Sequence, residues 1–312
     1  MTFIQLEYLV ALDLHRHFAT AAEHCFITQP TLSMQIQKLE EELGVKLFDR
    51  SKQPVVPTEI GEVVIAQARQ VLRETVKVKE LVDELKGNLS GELRIGIIPT
   101  LAPYLLPLFL ENFLRKYPNI KLKVNELTTE ALLSKLKNDA LDVGIVVTPL
   151  QENGLAEQPL FYEEFVVYLS ESEAAFQKEY LLSEDIDTNR LWLLEEGHCI
   201  RSQILNICEL HKQTAENRQF EYEAGSVETL KKMVEKYGGV TILPELAIRD
   251  LPPHQRLQVR HFRSPAPVRE VSLVTHRHYI KKMLVDAVKA EILAVVPETM
   301  KQIRQQKVIA LS

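Results

Sequence analysis

The sequence contains little cysteine, glycine or proline, and it lacks any long apolar run. Three cysteines among 312 residues exclude the disulfide framework that holds many small secreted domains together. No apolar run approaches the roughly 18 residues that a membrane-spanning helix needs, and charged residues interrupt the N-terminal apolar stretch. The scarcity of glycine and proline argues against long disordered segments. We therefore expect a soluble, cytoplasmic protein with no membrane partner.

Positive charge is also scarce. The net charge is −6, and residues 1–58 hold five Lys or Arg against seven Asp or Glu. Any affinity for nucleic acid must then depend on a few placed side chains and on helix N-termini, because no basic surface is available. The length alone predicts two or three domains.

Residues 1–58 have the pattern of a winged helix-turn-helix. Apolar spacing predicts a helix over 3–14, a short second helix in TAAEHC (20–25), and a third in QPTLSMQIQKLEEEL (29–43). Thr28 stands at the N-cap position of the third helix, and Gly44 follows its end. The segments VKLFDR and PVVPT then predict a two-stranded wing. This arrangement is typical of DNA-binding domains.

The candidate DNA contacts are polar residues of the third helix and basic residues of the wing, suited to base edges and phosphates. They are Thr28, Gln29, Pro30, Thr31, Ser33, Gln35, Lys38, Arg50 and Lys52. The pattern of residues 1–58, taken alone, is also compatible with a small helical interaction domain that binds no DNA.

Residues 59–90 predict a long linker helix with a coiled-coil seam. Its apolar positions alternate four and three residues apart: Val64, Ala68, Val71, Thr75, Val78, Val82 and Leu85. A lone helix would expose this seam, so we expect two chains to join here. The alternative is a helix packed on its own domain. The run from Gly87 to Gly91 predicts a hinge to the next domain.

Residues 91–312 predict a two-lobed α/β domain similar to periplasmic binding proteins. LRIGIIP and the segments after it are predicted to form strands and helices in the order βαβαβ. Lobe I is expected at 91–164 and 268–312, and lobe II at 165–267. Ligands of such sheets bind beside the strand ends, which here carry Thr100, Thr129 and Thr148. With the N-terminal domain and linker, the fold class is multi-domain α+β.

The segment LWLLEEGHCIRSQILNIC (191–208) carries two of the three cysteines. LWLLEE predicts a strand, and Gly197–Cys199 predicts the turn into a helix whose N-terminus favours a thiolate at Cys199. His198 and Arg201 add to that effect, which predicts an activated and partly accessible thiol. The alternative is that Cys199 is a small residue with a structural role only.

Cys208 follows Cys199 by nine residues. One helix joining them separates their Cα atoms by roughly 13–14 Å on opposite faces, whereas a disulfide needs about 7 Å or less. The two cysteines can pair only if that helix unwinds, which is how a redox switch works. A zinc site from His198, Cys199, Cys208 and His211 lacks a supporting ligand spacing.

Cys25 is expected to be a buried small residue. No catalytic triad, phosphate loop or metal motif stands out, so we expect no enzyme, no cofactor and no metal. An enzyme or solute-binding protein that uses the two-lobed cleft is the alternative outside the DNA-binding class. The N-terminal 58 residues argue against it.

Two stretches carry a family resemblance. TQPTLSMQIQKLEEELGVKLFDR (28–50) resembles the DNA-binding domain of LysR-type transcriptional regulators. EEGHCIRSQILNIC (195–208) and IGIIPTLAPYLLP (95–107) resemble the peroxide-sensing OxyR branch of that family, from which Ile200 and Ser202 are departures.

The resemblance implies a regulator of oxidative-stress genes with a peroxidatic Cys199 and a resolving Cys208. Thr100, Thr129, His198 and Arg201 would form the peroxide pocket. The implied partners are a double-stranded DNA operator, hydrogen peroxide, further copies of the chain in a homodimer or homotetramer, RNA polymerase, and a thiol reductant of the glutaredoxin or thioredoxin type. The alternative within the family senses a small carboxylate metabolite in the cleft between the lobes.

Overall fold

The computed structural model of the protein describes residues 1–85, 89–150, 152–208, 223–276, 281–302 and 307–309, apart from several side chains in the second half of the linker helix. It divides into two compact units, Met1–Gly87 and Asn88–Ser312. Along the described ranges, no helix combines the length and apolarity needed to cross a bilayer.

The first unit is a winged helix-turn-helix. Its elements are α1 (Phe3–His15), α2 (Phe18–His24), α3 (Gln29–Leu43), β1 (Phe48–Asp49), β2 (Val56–Pro57) and α4 (Glu59–Leu85). The third helix has the predicted bounds, and Gly44 ends it at φ 70°. The second helix was predicted to begin at Thr20 but begins two residues earlier, and Cys25 is its C-cap residue. The half-buried Cys25 packs against the core of this unit.

Glu40 ties the third helix to the wing. Its carboxylate is buried on α3 and accepts hydrogen bonds from the backbone N–H groups of Leu47 and Phe48 at 2.9 and 3.3 Å. It also pairs with Arg50 at 3.1 Å and with Lys46 at 3.3 Å. One acidic side chain thereby sets where the wing stands relative to α3, although the pattern of α3 marked it only as one of three consecutive glutamates.

The predicted seam of the linker helix is divided between two environments. Ala68 is buried in the core of the first unit, and Val64 and Val71 pack against that core, where α4 contacts α1. Val78 and Val82 are exposed. The first half of the seam therefore has a partner within the domain, and dimerisation remains a prediction for the exposed half.

Lobe I of the second unit is built on a mixed sheet. Its elements are β3 (Gly91–Ile97), α5 (Ala102–Lys116), β4 (Ile120–Glu126), α6 (Thr129–Lys137), β5 (Val143–Thr148), the first part of β6 (Leu155–Leu169), β10 (Pro267–His276), α10 (Lys282–Val295) and β11 (Lys307–Val308). Strands β4, β3 and β5 are parallel neighbours, and β10 lies antiparallel between β5 and β6. The returning chain thus completes the first sheet.

Lobe II surrounds the second part of β6. Its elements are β7 (Tyr180–Leu181), α7 (Cys199–Ile207), α8 (Val227–Tyr237), β8 (Val240–Pro244), α9 (Pro253–Arg256) and β9 (Val259–Phe262). Strands β8 and β9 flank β6, each antiparallel to it. Since β6 continues through both lobes and pairs with β10 in lobe I, the lobes share a sheet.

The strand predicted for LWLLEE is wrong. Leu191 and Leu194 make only isolated bridges, to Val240 and Ala224. The segment divides its pairing between two different parts of the chain, so no continuous ladder forms. The segment still enters the lobe II core through Leu191 and Leu194.

We predict that Glu40→Ala lowers the free energy of unfolding of the first unit by about 3 kcal/mol, because the buried N–H groups of the wing and Arg50 lose their acceptor. Hydrogen exchange of α3 and wing peptides in the full chain measures this loss. Glu41→Ala is the control, since the exposed Glu41 carboxylate accepts a hydrogen bond only from the Gln37 side chain, at 2.9 Å, among the side-chain contacts of the described residues. Equal protection in the two variants would contradict the assigned role of Glu40.

Candidate functional site

The N-terminus of α6 is held close to the lobe I sheet by two glycines. A Cβ at Gly96 or Gly144 would lie 2.8 or 2.5 Å from Leu132 side-chain atoms, so only glycine permits this approach of α6 to β3 and β5. Thr129, the first residue of α6, is thereby placed at the edge of the lobe where β3 and β5 end.

Cys199 is the first residue of α7, as predicted. Gly197 takes φ 94°, a value suited to glycine, and His198 is the N-cap residue. The Cys199 Sγ lies 2.6 Å from Thr129 Oγ1. The first residues of two helices, one in each lobe, therefore meet at the thiol, and both helix N-termini favour negative charge there.

The thiol of Cys199 is balanced between opposing influences. Burial is the largest and raises its pKa above the ordinary value. The bond to Thr129, the positive charge of Arg269 and the Cys199 backbone N–H each lower the pKa and offset part of that rise. The prediction of a thiol activated in its resting state is therefore wrong, because a local sequence pattern contains no measure of burial. The half-buried side chain does agree with the predicted partial access.

The cation near the thiol is Arg269, which the sequence analysis missed. Arg269 on β10 and Glu163 on β6 are directly paired residues, and both side chains are fully buried. The guanidinium donates to Glu163 Oε2 at 2.8 Å, and to the hydroxyl and carbonyl oxygens of Thr100 at 3.1 and 3.2 Å. The other Glu163 oxygen accepts from the N–H of Leu246 at 2.7 Å. The signal available in the sequence was the presence of charged residues inside two otherwise apolar strands, FYEEFVV and PVREVSLV.

The two charged residues that flank Cys199 are placed differently from each other. His198 is buried, with its Nε2 3.6 Å from Glu195 Oε1. Arg201 was expected to add positive charge beside the thiol. Its guanidinium instead donates to the Leu194 carbonyl at 2.6 Å and pairs with Glu223 at 3.1 Å. Arg201 thus stabilises the turn before α7, and Arg269 supplies the charge that lowers the pKa of Cys199.

Cys208 is the C-cap residue of α7, so one helix does join the two cysteines. Its half-buried side chain packs against the lobe II core, and burial raises its pKa to about 11. Helix geometry separates the two Cα atoms by about 13 Å and directs the side chains to opposite faces. Both thiols are free in this structure.

Thr148 does not serve the ligand role suggested for it. It is fully buried at the end of β5, and its hydroxyl bonds to Glu270 and Ser272 of β10 at 2.6 and 2.5 Å. Its position is structural, since it joins two strands. Among the described residues, no group of three or more His, Cys, Asp or Glu is arranged to hold a metal ion. His211, a member of the conceivable zinc set, lies outside them.

The candidate DNA contacts are accessible, with two details that the pattern did not predict. On α3 and its N-cap, Thr28, Gln29, Pro30 and Lys38 are exposed, and Thr31, Ser33 and Gln35 are partly exposed. Thr28 occupies the N-cap position, but its hydroxyl bonds to the Thr31 hydroxyl at 2.8 Å rather than capping the backbone. Arg50 is partly committed to Glu40, whereas Lys52 is exposed with Asp49 4.0 Å away.

Comparisons with known proteins agree with this architecture. A family model described as LysR substrate binding domain matches residues 86–297, and one described as bacterial regulatory helix-turn-helix protein, lysR family, matches residues 3–62. The hydrogen peroxide-inducible genes activator of Dickeya chrysanthemi is 37% identical over 278 residues, 88% of this chain and 89% of that protein.

Two solved structures that span nearly the whole chain are also similar. One is the full-length OxyR of Pseudomonas aeruginosa, in a variant with aspartate in place of a cysteine. It is 34% identical with a TM-score of 0.74, and covers 95% of this chain and 99% of its own. The other is a hydrogen-peroxide-bound OxyR variant of Corynebacterium glutamicum, 28% identical with a TM-score of 0.61, which covers 94% of this chain and 92% of its own.

We predict that Thr129→Val raises the pKa of Cys199 further, because it removes the hydrogen bond that lowers this pKa. The thiolate fraction at neutral pH falls about ten-fold if the bond is worth roughly 1.4 kcal/mol. The pH profile of Cys199 alkylation by iodoacetamide should shift to higher pH. The control is Thr128→Val, since Thr128 makes no side-chain cap bond. Superimposable profiles for Thr129→Val and wild type would contradict this role.

Proposed function

Because the chain belongs to the LysR family of transcriptional regulators, in the branch of the hydrogen-peroxide-inducible activators, we propose that it senses peroxide through oxidation of Cys199. It is a DNA-binding regulator rather than an enzyme, and its first unit is the DNA-binding element. The observation that carries the proposal is the 2.6 Å contact between Thr129 and Cys199 at the meeting point of two helix N-termini, with Arg269 as the nearby cation.

The first chemical step is oxidation of Cys199 to a sulfenic acid. Its thiolate attacks one peroxide oxygen, the O–O bond breaks, and the departing hydroxide takes a proton to become water. Thr129 orients the sulfur, and the helix N-termini with Arg269 stabilise its negative charge. The Thr100 hydroxyl oxygen accepts from Arg269, so its hydrogen is available for donation to a bound peroxide. Cys199, Thr129 and Thr100 thus form the peroxide pocket, with His198 beside the thiol and Arg201 supporting the turn.

The second step converts the oxidation into a conformational change. The Cys208 sulfur attacks the sulfenic sulfur of Cys199, and the S–O bond breaks to release a second water. The new disulfide requires the two Cα atoms to approach within about 7 Å, so α7 must unwind. Unwinding also removes Cys208 from the apolar surroundings that raise its pKa to about 11, which favours the attacking thiolate. A dithiol reductant of the glutaredoxin or thioredoxin type then restores both thiols by exchange.

The protein regulates transcription because the unwinding of α7 changes how the chains of the oligomer are arranged. We place the dimer contact on the exposed half of the α4 seam, including Val78 and Val82. Two recognition helices about one DNA turn apart then read a pseudo-palindromic operator. In a homotetramer the reduced and disulfide forms hold different arrangements of the DNA-binding units, and the oxidised arrangement recruits RNA polymerase.

The carboxylate-sensing alternative finds less support in the site. That interpretation requires the hydroxyls of Thr100 and Thr129 as ligands for a metabolite. In the structure Thr129 bonds to Cys199, and Arg269, whose charge lowers the pKa of the thiol, pairs with the Glu163 carboxylate. The groups that would bind a carboxylate are engaged with one another around the thiol.

We predict that Cys199→Ser abolishes the peroxide response of a reporter gene and leaves operator binding by the reduced protein within about two-fold of wild type, because the first unit is unchanged. Cys208→Ser should still form the sulfenic acid, detected with dimedone, but no intramolecular disulfide. Cys25→Ser is the control, since Cys25 packs in the DNA-binding unit. A normal peroxide response from Cys199→Ser would reject the mechanism.

A further inference from the structure

The loop before α3, the recognition helix, carries an aromatic side chain that the fold leaves exposed. Phe26 is 96% exposed and lies between α2 and α3. Its backbone takes φ 57°, in the left-handed region that bulky side chains rarely adopt. Phe26 therefore stands where glycine or asparagine would suit the backbone better.

The hydrogen bonds explain why the backbone is left-handed there. The N–H of Ile27 bonds to the Ala22 carbonyl, and that of Phe26 to the Glu23 carbonyl, both at 3.0 Å. These two bonds form a Schellman motif, whose left-handed position is most often glycine. Ile27 turns inward and packs against the core, while Phe26 is directed to solvent. A large apolar residue at this position strains the turn and gains no burial.

A second exposed apolar side chain continues this surface along α3. Met34 is 48% exposed. It lies four residues after Pro30 and four before Lys38, so these three side chains follow one face of the helix, opposite the buried Leu32 and Ile36. Met34 is central on the face that α3 presents outward, between Pro30 and Lys38, two of the candidate DNA contacts.

We propose that Phe26 and Met34 form an apolar reading surface for the 5-methyl groups of thymines in the major groove. The thymine methyl is the apolar feature that base edges offer in that groove. Met34 shares a helix face with Pro30 and Lys38, and Phe26 lies in the turn that leads into α3. Residues 1–58 hold only five Lys or Arg to supply affinity by charge. This inference rests on the helix-turn-helix as the DNA-binding element and is independent of the cysteine chemistry.

Replacing thymine by deoxyuridine, which lacks the methyl group, tests the proposal. A duplex selected in vitro with the full-length protein is resynthesised with single thymine-to-uracil changes, and Kd is measured under reducing conditions. Wild type should lose about three- to five-fold in affinity at one or more positions, the effect of one buried methyl. At those positions, Phe26→Asn or Met34→Ala should bind the thymine and uracil duplexes equally.

Three controls separate this result from loss of folding, from loss of charge contacts and from a general effect of substitution on α3. Phe26→Asn suits the left-handed backbone, so its unfolding midpoint should equal or exceed that of wild type. The slope of log K against log salt should stay unchanged in Phe26→Asn but fall by about one unit in Lys38→Ala. Leu43→Ala, at the far end of α3, should keep the full uracil effect.

The proposal is overturned if uracil costs wild type and both variants the same factor. It is also overturned if the variants change the sedimentation coefficient of the free protein without changing DNA affinity, because the surface would then contact another copy of the chain. Since the assay needs no peroxide, it gives the same result in a Cys199→Ser background whether or not the redox proposal holds.

Discussion

The proposed mechanism depends on the length of one short helix. Helix α7 begins at Cys199 and ends at the C-cap Cys208, and its rise keeps the two thiols about 13 Å apart on opposite faces. A disulfide cannot form across an intact helix of this length. In the proposed switch the oxidised state must therefore lose a helix that the reduced state contains, so the cysteine spacing would convert a local chemical event into a change of fold.

The surroundings of Cys199 join the two lobes around this constraint. Thr129 comes from lobe I and Cys199 from lobe II, and Arg269 connects Thr100 to Glu163, whose second oxygen holds the backbone after β8. Burial raises the pKa of the thiol while the hydrogen bond and the cation lower it. The site thus combines burial, which disfavours the thiolate, with contacts that stabilise it. Its reactivity depends on contacts from both lobes at once.

The sequence was most informative where physical rules are local. Gly197 before His198 and Cys199 marked a turn into a helix, and the structure has that helix. The heptad spacing of α4 correctly predicted a long helix, but it did not show that α1 covers Ala68. Arg269 and Glu163 lie 106 residues apart along the chain, and no local pattern pairs them. The low pKa expected for the Cys199 thiol is not found, because burial depends on how the two lobes pack. Arg201 is directed away from the thiol because it pairs with Glu223, which the fold brings close.

The most direct test of the account is peptide mass mapping of the purified full chain before and after a brief, near-stoichiometric dose of hydrogen peroxide. The account predicts that a Cys199–Cys208 disulfide appears, that Cys25 stays free, and that added thiol restores both sulfhydryls. Free thiols at both positions after that dose, with the fold intact, would contradict it and return Cys199 to a purely structural role.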